Sequence, residues 1–120
     1  MAISDKGKET TATFLIGSAS TGFEYLALGS GSVAANALGY EFTGSGAKRI
    51  ASANSLITTT SANDTAQYVG TWTFSSALVI SEWGLFNGSV VGDSLALSDV
   101  SLISVGSGDT FQLTVKVQTS

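Results

Sequence analysis

The chain has no histidine, no cysteine and no proline among its 120 residues, and only 12% of the residues are charged. Without histidine or cysteine it cannot build a Ser-His-Asp triad, a Cys-His pair, a thiolate or imidazole metal site, or a disulfide. We therefore expect no enzyme, no catalytic residue, no metal and no cofactor. The absence of proline removes one common protection of strand edges against pairing with a neighbour.

Basic residues are equally scarce, with five lysines and arginines against nine acids and a net charge of −4. Lys48 and Arg49 form the only adjacent basic pair, so the stripe of positive charge that nucleic-acid binding requires is missing. The polar N-terminus, with Asp5 and Glu9, does not resemble a signal peptide, and no apolar run reaches membrane-spanning length. We expect neither a nucleic-acid partner nor a membrane.

Strand patterns dominate what is present. From Thr110 to Gln118 apolar and polar residues alternate strictly, which predicts a strand with one buried face and one solvent-exposed face. Residues 68–75 alternate in the same way, and the Asn-Asp turn at 61–64 joins them to a strand-like segment at 47–60 in a predicted hairpin.

Further strands are predicted at 12–17, 23–29, 79–86 and 94–99. Residues 33–38 are predicted as one short helix capped by Ser32. The fold class is therefore all-β: residues 1–120 form a single β-sandwich or barrel-like domain of about seven antiparallel strands. Residues 1–10 are predicted to be a flexible N-terminal arm.

Two motifs that carry chemistry elsewhere favour structural roles here. Residues 29–34 match the phosphate-cradling pattern G-x-G-x-x-A, but no acid follows about twenty residues later, so an ordinary turn is favoured. Paired catalytic carboxylates are disfavoured because most acids adjoin turn residues. A calcium site at Asp93 and Asp99 lacks the clustered oxygen ligands it would need.

The two tryptophans leave one alternative open. Trp72 shares a face with Tyr68 and Phe74, and Trp83 shares one with Val79 and Leu85, so both are expected in core or inter-subunit packing. A carbohydrate-binding module that stacks sugars on Trp83 is the alternative.

Several segments together resemble small virion proteins of tailed phages. Residues 25–31 resemble the strand followed by Gly-x-Gly with which those proteins open, and an Ala/Asn-rich stretch from Ala34 to Glu41 follows before Arg49 opens a long strand. Residues 80–87, Ile-Ser-Glu-Trp-Gly-Leu-Phe-Asn, are similar to the signature Ile-Thr-Glu-x-Gly-Leu-Phe-Asn/Asp of tail-collar fibre domains and of related head or tail accessory proteins. The chain departs from that pattern at Trp83, where a small or β-branched residue is more usual, and in having no proline after Gly31.

The resemblance implies a β-sandwich and a virion structural role without catalysis. The expected function is a capsid decoration (cement) protein, a homotrimer assembled on the virion in the host cytoplasm, with the major capsid protein or other virion proteins as partners. The alternative within the same particle is a tail, collar or fibre-attachment protein. The candidate structural or interface residues are Glu82, Trp83, Gly84, Phe86, Arg49 and Trp72. Glu82 is expected to accept hydrogen bonds from the backbone or from Arg49, and Gly84 to allow close approach of a neighbour.

Overall fold

A computed structural model describes residues 2–15, 22–90 and 92–118. Its elements are β1 (Ala2–Ile3), α1 (Asp5–Leu15), β2 (Tyr25–Gly29), β3 (Ile50–Ala51), β4 (Ala53–Ile57), β5 (Thr65–Thr73), β6 (Leu78–Phe86), β7 (Ser94–Val105) and β8 (Thr110–Gln118). The strands form two antiparallel sheets, one in the order β1-β7-β6-β2-β3 and the other in the order β4-β5-β8. The all-β fold with two packed sheets, expected from the sequence, is confirmed.

The two sheets are joined on one side by a single bent strand. β3 pairs with β2 in the five-stranded sheet, and after Ser52 the chain continues as β4, which pairs with β5 in the other sheet. The N–H of Ser52 donates to the carbonyl of Glu24 (2.7 Å), which holds the bend. Between the sheets lies the main core, centred on Leu26, Leu28, Trp72, Phe74, Ile80, Leu85 and Val115.

A second, smaller apolar cluster lies on the outer face of the five-stranded sheet. It consists of Ala27, Phe86 and Leu97, with Tyr25, Val33 and Leu38 packed against it. Because Val33 and Leu38 belong to the segment that follows β2, residues 30–41 cover this face. We call this segment the cover loop.

The N-terminal segment differs from the expectation of a flexible arm. β1 pairs with β7 at Leu97 and Ala96, and the helix α1 occupies most of the region predicted as arm and as a strand at 12–17. Residues 16–17 of that predicted strand lie outside the described residues. Ser4 caps the helix, since its Oγ accepts the N–H of Gly7 (2.9 Å). The helix escaped prediction because its sequence is polar and lacks apolar residues at helical spacing.

The predicted helix at 33–38 is wrong. Those residues form bends within the cover loop, and the single backbone bond inside them runs from the N–H of Ala34 to the carbonyl of Ala37 (2.8 Å). Bonds to distant elements, described below, hold this segment instead of helical bonds.

Elsewhere the expected strands are present, except that the segment predicted at 47–60 is divided at Ser52 into β3 and β4, and Arg49 precedes β3 rather than opening a long strand. β8 has the predicted bounds, and β4 and β5 form the predicted hairpin, with Ile57 opposite Thr65. β7 is longer than expected and ends at Val105 rather than near Asp99. None of the helices in the described part of the chain has the length and apolarity needed to cross a membrane.

Candidate functional site

Glu82 is a fully buried carboxylate on β6 that holds the cover loop through the loop's backbone. Its Oε1 accepts the N–H of Gly39 (2.7 Å), and its Oε2 accepts those of Tyr40 (2.8 Å) and Gly31 (3.1 Å). Burying a carboxylate is costly unless hydrogen bonds replace its lost water, and three N–H donors do so here. We call this arrangement the Glu82 latch.

The latch requires glycine where the loop passes over the carboxylate. A Cβ on Gly29 would collide with the Glu82 side chain and the carbonyl of Tyr40, and one on Gly31 would lie 2.7 Å from the nitrogen of Tyr40. The Gly-x-Gly segment is therefore a turn that contributes one N–H donor, that of Gly31, to the protein's own carboxylate, and Gly39 and Tyr40 contribute the other two.

Three more side chains fasten the cover loop to the sheet. The Oγ of Ser81 donates to the carbonyl of Gly31 (2.7 Å), and Asp99 on β7 accepts the N–H of Val33 through Oδ1 (2.9 Å). Ser94 donates to the carbonyl of Asn36 (3.2 Å). The loop is thus fixed along its length by groups on β6 and β7.

Arg49 lies in a second site, at the edge of the cover loop. Its guanidinium binds Glu41 with two bonds (Nε–Oε2 3.0 Å, Nη2–Oε1 2.7 Å) and donates to the carbonyl of Gly88 (2.9 Å). It also stacks 3.8 Å from the ring centre of Phe86, and its side chain is only 7% exposed. The prediction that backbone groups donate to Glu82 is confirmed. The prediction that Arg49 donates to Glu82 is wrong, because its guanidinium binds Glu41 and Gly88 and stacks on Phe86.

The remaining candidates are packing residues. Trp72 is 2% exposed in the main core and donates its Nε1–H to the carbonyl of Lys48 (2.9 Å), while half-buried Trp83 packs against the same core. Gly84 is buried, and an added Cβ would meet Phe86 and Leu97 of its own chain. The close neighbours of Gly84 are therefore intramolecular. The two tryptophans do not form a shared exposed face for sugar stacking.

Two further acids organise loops, and sequence reasoning missed one of them, Glu41. The ion pair between Glu41 and Arg49 is not predicted from the sequence, although the two residues are only eight positions apart. Asp64 accepts backbone N–H groups from Ser61 and Thr59 at 3.0 and 2.9 Å, and these bonds, with a further one from Thr60, hold the pKa of its carboxyl well below its usual range. The turn that the sequence predicts at 61–64 is therefore confirmed.

Within the described residues, no three or more acidic side chains come together in a cluster that would hold a metal ion. Two charged side chains that are buried or nearly buried, Glu82 and Arg49, are bound by groups of the protein itself, so both serve to position the cover loop. No protein-family model, curated protein or solved structure matches the chain.

Proposed function

We propose that the protein is a structural component of a tailed-phage virion, a capsid decoration protein that stabilises neighbouring capsid subunits. The observation that supports this most is the Glu82 latch. It joins residues 25–31 and 80–87, the two segments on which the resemblance to virion proteins rests, into one structural unit although about fifty residues separate them. A motif whose acid holds a loop in place serves architecture rather than catalysis.

The latched loop presents an aromatic side chain, that of Tyr40, to solvent. Tyr40 donates its backbone N–H to Glu82 while its side chain remains 64% exposed. A rigid loop that carries an exposed aromatic residue is suited to burial against a partner, since little conformational entropy is lost on binding. We place the contact with the major capsid protein at Tyr40.

Copy number tests the proposal. Particles encoded by the same genome are purified, and the ratio of this chain to the major capsid protein is measured by quantitative mass spectrometry. A ratio near one supports decoration of the head. A few copies per particle would support a tail, collar or fibre-attachment protein instead, and absence from particles would contradict both.

The contact is tested on particles stripped of the protein. Purified wild type and Tyr40→Ala are added back and their binding is compared by co-sedimentation. Leu56→Ala is the matched control, because Leu56 is equally exposed at 64% but lies on β4, away from the cover loop. We expect Tyr40→Ala to bind at least about tenfold more weakly, as truncation of an aromatic interface residue does, and Leu56→Ala to bind like wild type.

A further inference from the structure

A groove lies beside Tyr40, the residue that we place at the contact with the capsid. The ring of Tyr40 lies edge-on to the ring of Phe42, with 6.4 Å between the ring centres. Phe42 in turn forms part of the wall of a groove of about 390 Å³. The groove, which we call the Lys48 groove, is lined by Glu41, Phe42, Thr43, Lys48, Arg49, Ser89 and Val90. It therefore continues the surface that Tyr40 presents.

One side chain holds both walls of the Lys48 groove. Arg49 binds Glu41, at the end of the cover loop, with two hydrogen bonds. It also donates to the carbonyl of Gly88, directly before Ser89 and Val90 on the other wall. Because the walls are joined to each other before a partner arrives, little conformational entropy is lost when the groove is filled.

The Lys48 groove carries a positive charge. Glu41 and Arg49 neutralise each other in their ion pair. Lys48 is exposed and forms no ion pair within the described residues, so its ammonium is the remaining charge. Two other grooves of the described residues contain a carboxylate, that of Glu24 or that of Asp64, and no basic residue. A partner's carboxylate is therefore attracted to the Lys48 groove and repelled from the other two.

The other side chains of the groove suit an acidic residue that has an apolar neighbour. Thr43 and Ser89 are exposed, and their hydroxyls can donate hydrogen bonds to an anion. Val90 is 80% exposed and Tyr40 is 64% exposed. Covering these side chains favours association, while the charge of Lys48 fixes the orientation in which a partner binds.

We propose that the Lys48 groove receives a segment of the capsid partner in which an aspartate or glutamate neighbours an apolar residue. The carboxylate binds the ammonium of Lys48 and the hydroxyls of Thr43 and Ser89, and the apolar side chain packs against Val90. The inference rests on the proposed decoration function and names the chemistry of the partner that Tyr40 contacts.

Charge reversal tests the role of Lys48. Wild type, Lys48→Glu and Lys48→Arg are added to stripped particles, and binding is measured by co-sedimentation at low and at high salt. At low salt Lys48→Glu should bind about tenfold more weakly, because it sets like charges together, and Lys48→Arg should bind like wild type. The difference should shrink at high salt, which screens exposed charges but would not repair a damaged fold.

Lys116→Glu is the matched control for charge. Lys116 is also exposed and undergoes the same change of charge, but it lies on β8 in the other sheet, so the variant should bind like wild type. Equal binding by Lys48→Glu and wild type, or equal weakening by Lys48→Glu and Lys116→Glu, overturns the inference and leaves the decoration function standing. Wild type that does not bind stripped particles contradicts the decoration function, and with it the partner that the inference names.

Val90→Asp tests the apolar half of the contact. The new carboxylate removes apolar surface and repels the carboxylate of the partner, so we expect binding to be weaker by about tenfold. Leu102→Asp is the control, because Leu102 is similarly exposed, at 75%, and does not line the groove. Equal binding by the two variants would contradict the contact at Val90.

Zero-length cross-linking identifies the group that the partner supplies. A carbodiimide joins a lysine amine to a carboxylate in contact with it, through an amide bond formed with loss of water. On decorated particles, peptide mass spectrometry should find Lys48 joined to an aspartate or glutamate of the major capsid protein. Cross-links to the capsid through Lys116 and none through Lys48 would overturn the proposal.

Discussion

At the scale of single residues, the molecule stabilises its irregular segments with charged side chains that bind backbone. Glu82, Arg49 and Asp64 each accept from or donate to main-chain groups of loops. The sequence made Glu82 recognisable as unusual, because it interrupts an apolar strand. Its partners were beyond prediction, since they are N–H groups more than forty residues away that every residue except proline possesses.

Glu82→Gln should loosen the latch. The amide keeps one acceptor oxygen but turns an NH₂ group toward at least one of the three N–H donors, which leaves a buried donor unsatisfied. We expect a loss of about 1–3 kcal/mol in the free energy of unfolding measured in urea. Amide exchange at Gly31, Gly39 and Tyr40 should also accelerate. The exposed Glu24→Gln is the control, with a change within about 0.5 kcal/mol, and equal stability of the two variants would contradict the latch.

Arg49→Lys should be costly although charge is conserved. An ammonium cannot make the two-pronged bond to Glu41, donate to Gly88 and stack on Phe86 at once, so we expect a loss of about 1–3 kcal/mol in chemical denaturation. Lys48→Arg is the neighbouring control, because the side chain of Lys48 is exposed and only its carbonyl is used, by Trp72. Tolerance of Lys at position 49 would show that the geometry of the guanidinium is unimportant.

Asp64 should make stability depend on acid pH. Its pKa is lower in the fold than in the unfolded chain, so the charged form stabilises the fold above the unfolded pKa of about 4. That stabilisation is lost as pH falls toward the folded pKa. The difference in unfolding free energy between wild type and Asp64→Asn should be constant above pH of about 5 and shrink below about 4. A difference that does not vary with pH would exclude this origin.

At the scale of elements, strands were predictable and the helix was not. β8 follows a strict alternation that only a half-buried strand satisfies, and its bounds were predicted to the residue. Residues 5–15 are helical because Ser4 caps them and because they pack on β7. Neither of these causes produces a pattern of apolar residues at helical spacing that could be recognised in the sequence. Residues 33–38 have good helical composition, but bonds from Glu82, Asp99 and Ser94 to the cover loop override local preference.

Gly7→Ala tests how closely α1 approaches β7. Alanine is the better helix former by about 1 kcal/mol and would stabilise an isolated helix. Here the added Cβ would collide with backbone atoms of Leu95, so we expect a net loss of about 1–3 kcal/mol in thermal unfolding. Thr11→Ala, at an exposed position of the same helix, is the control and should be neutral or slightly stabilising. Stabilisation by both variants would show that α1 does not pack closely against β7 at Gly7.

At the scale of the whole molecule, one core and one shared strand tie the two sheets together. Trp72 on β5 and Leu28 on β2 belong to the same cluster although they lie in different sheets. The sheet-on-sheet architecture was predictable from the number and spacing of the strands. Which strand crosses between sheets was not, because the bend at Ser52 depends on a bond to Glu24 that sequence does not reveal.

The two sheets should therefore unfold together. Tryptophan fluorescence, which reports on the core at Trp72, and far-UV circular dichroism, which reports on strands, should give coincident urea transitions. Ala53→Gly, next to the bend, should shift both midpoints equally because glycine weakens a strand. Two separated midpoints would show that the sheets are independent units.

The Glu82 latch has a consequence for how this surface can diversify. The Glu82 carboxylate holds the cover loop through backbone N–H groups. Four side chains of the loop are exposed to solvent, those of Ser32, Ala34, Ala35 and Ala37. These four residues can therefore be substituted while the hydrogen bonds from Gly31 and Gly39 to the Glu82 carboxylate are retained. Substitutions at these positions, in natural variants or in engineered libraries, therefore change the surface that the cover loop offers to a partner and leave the underlying fold intact.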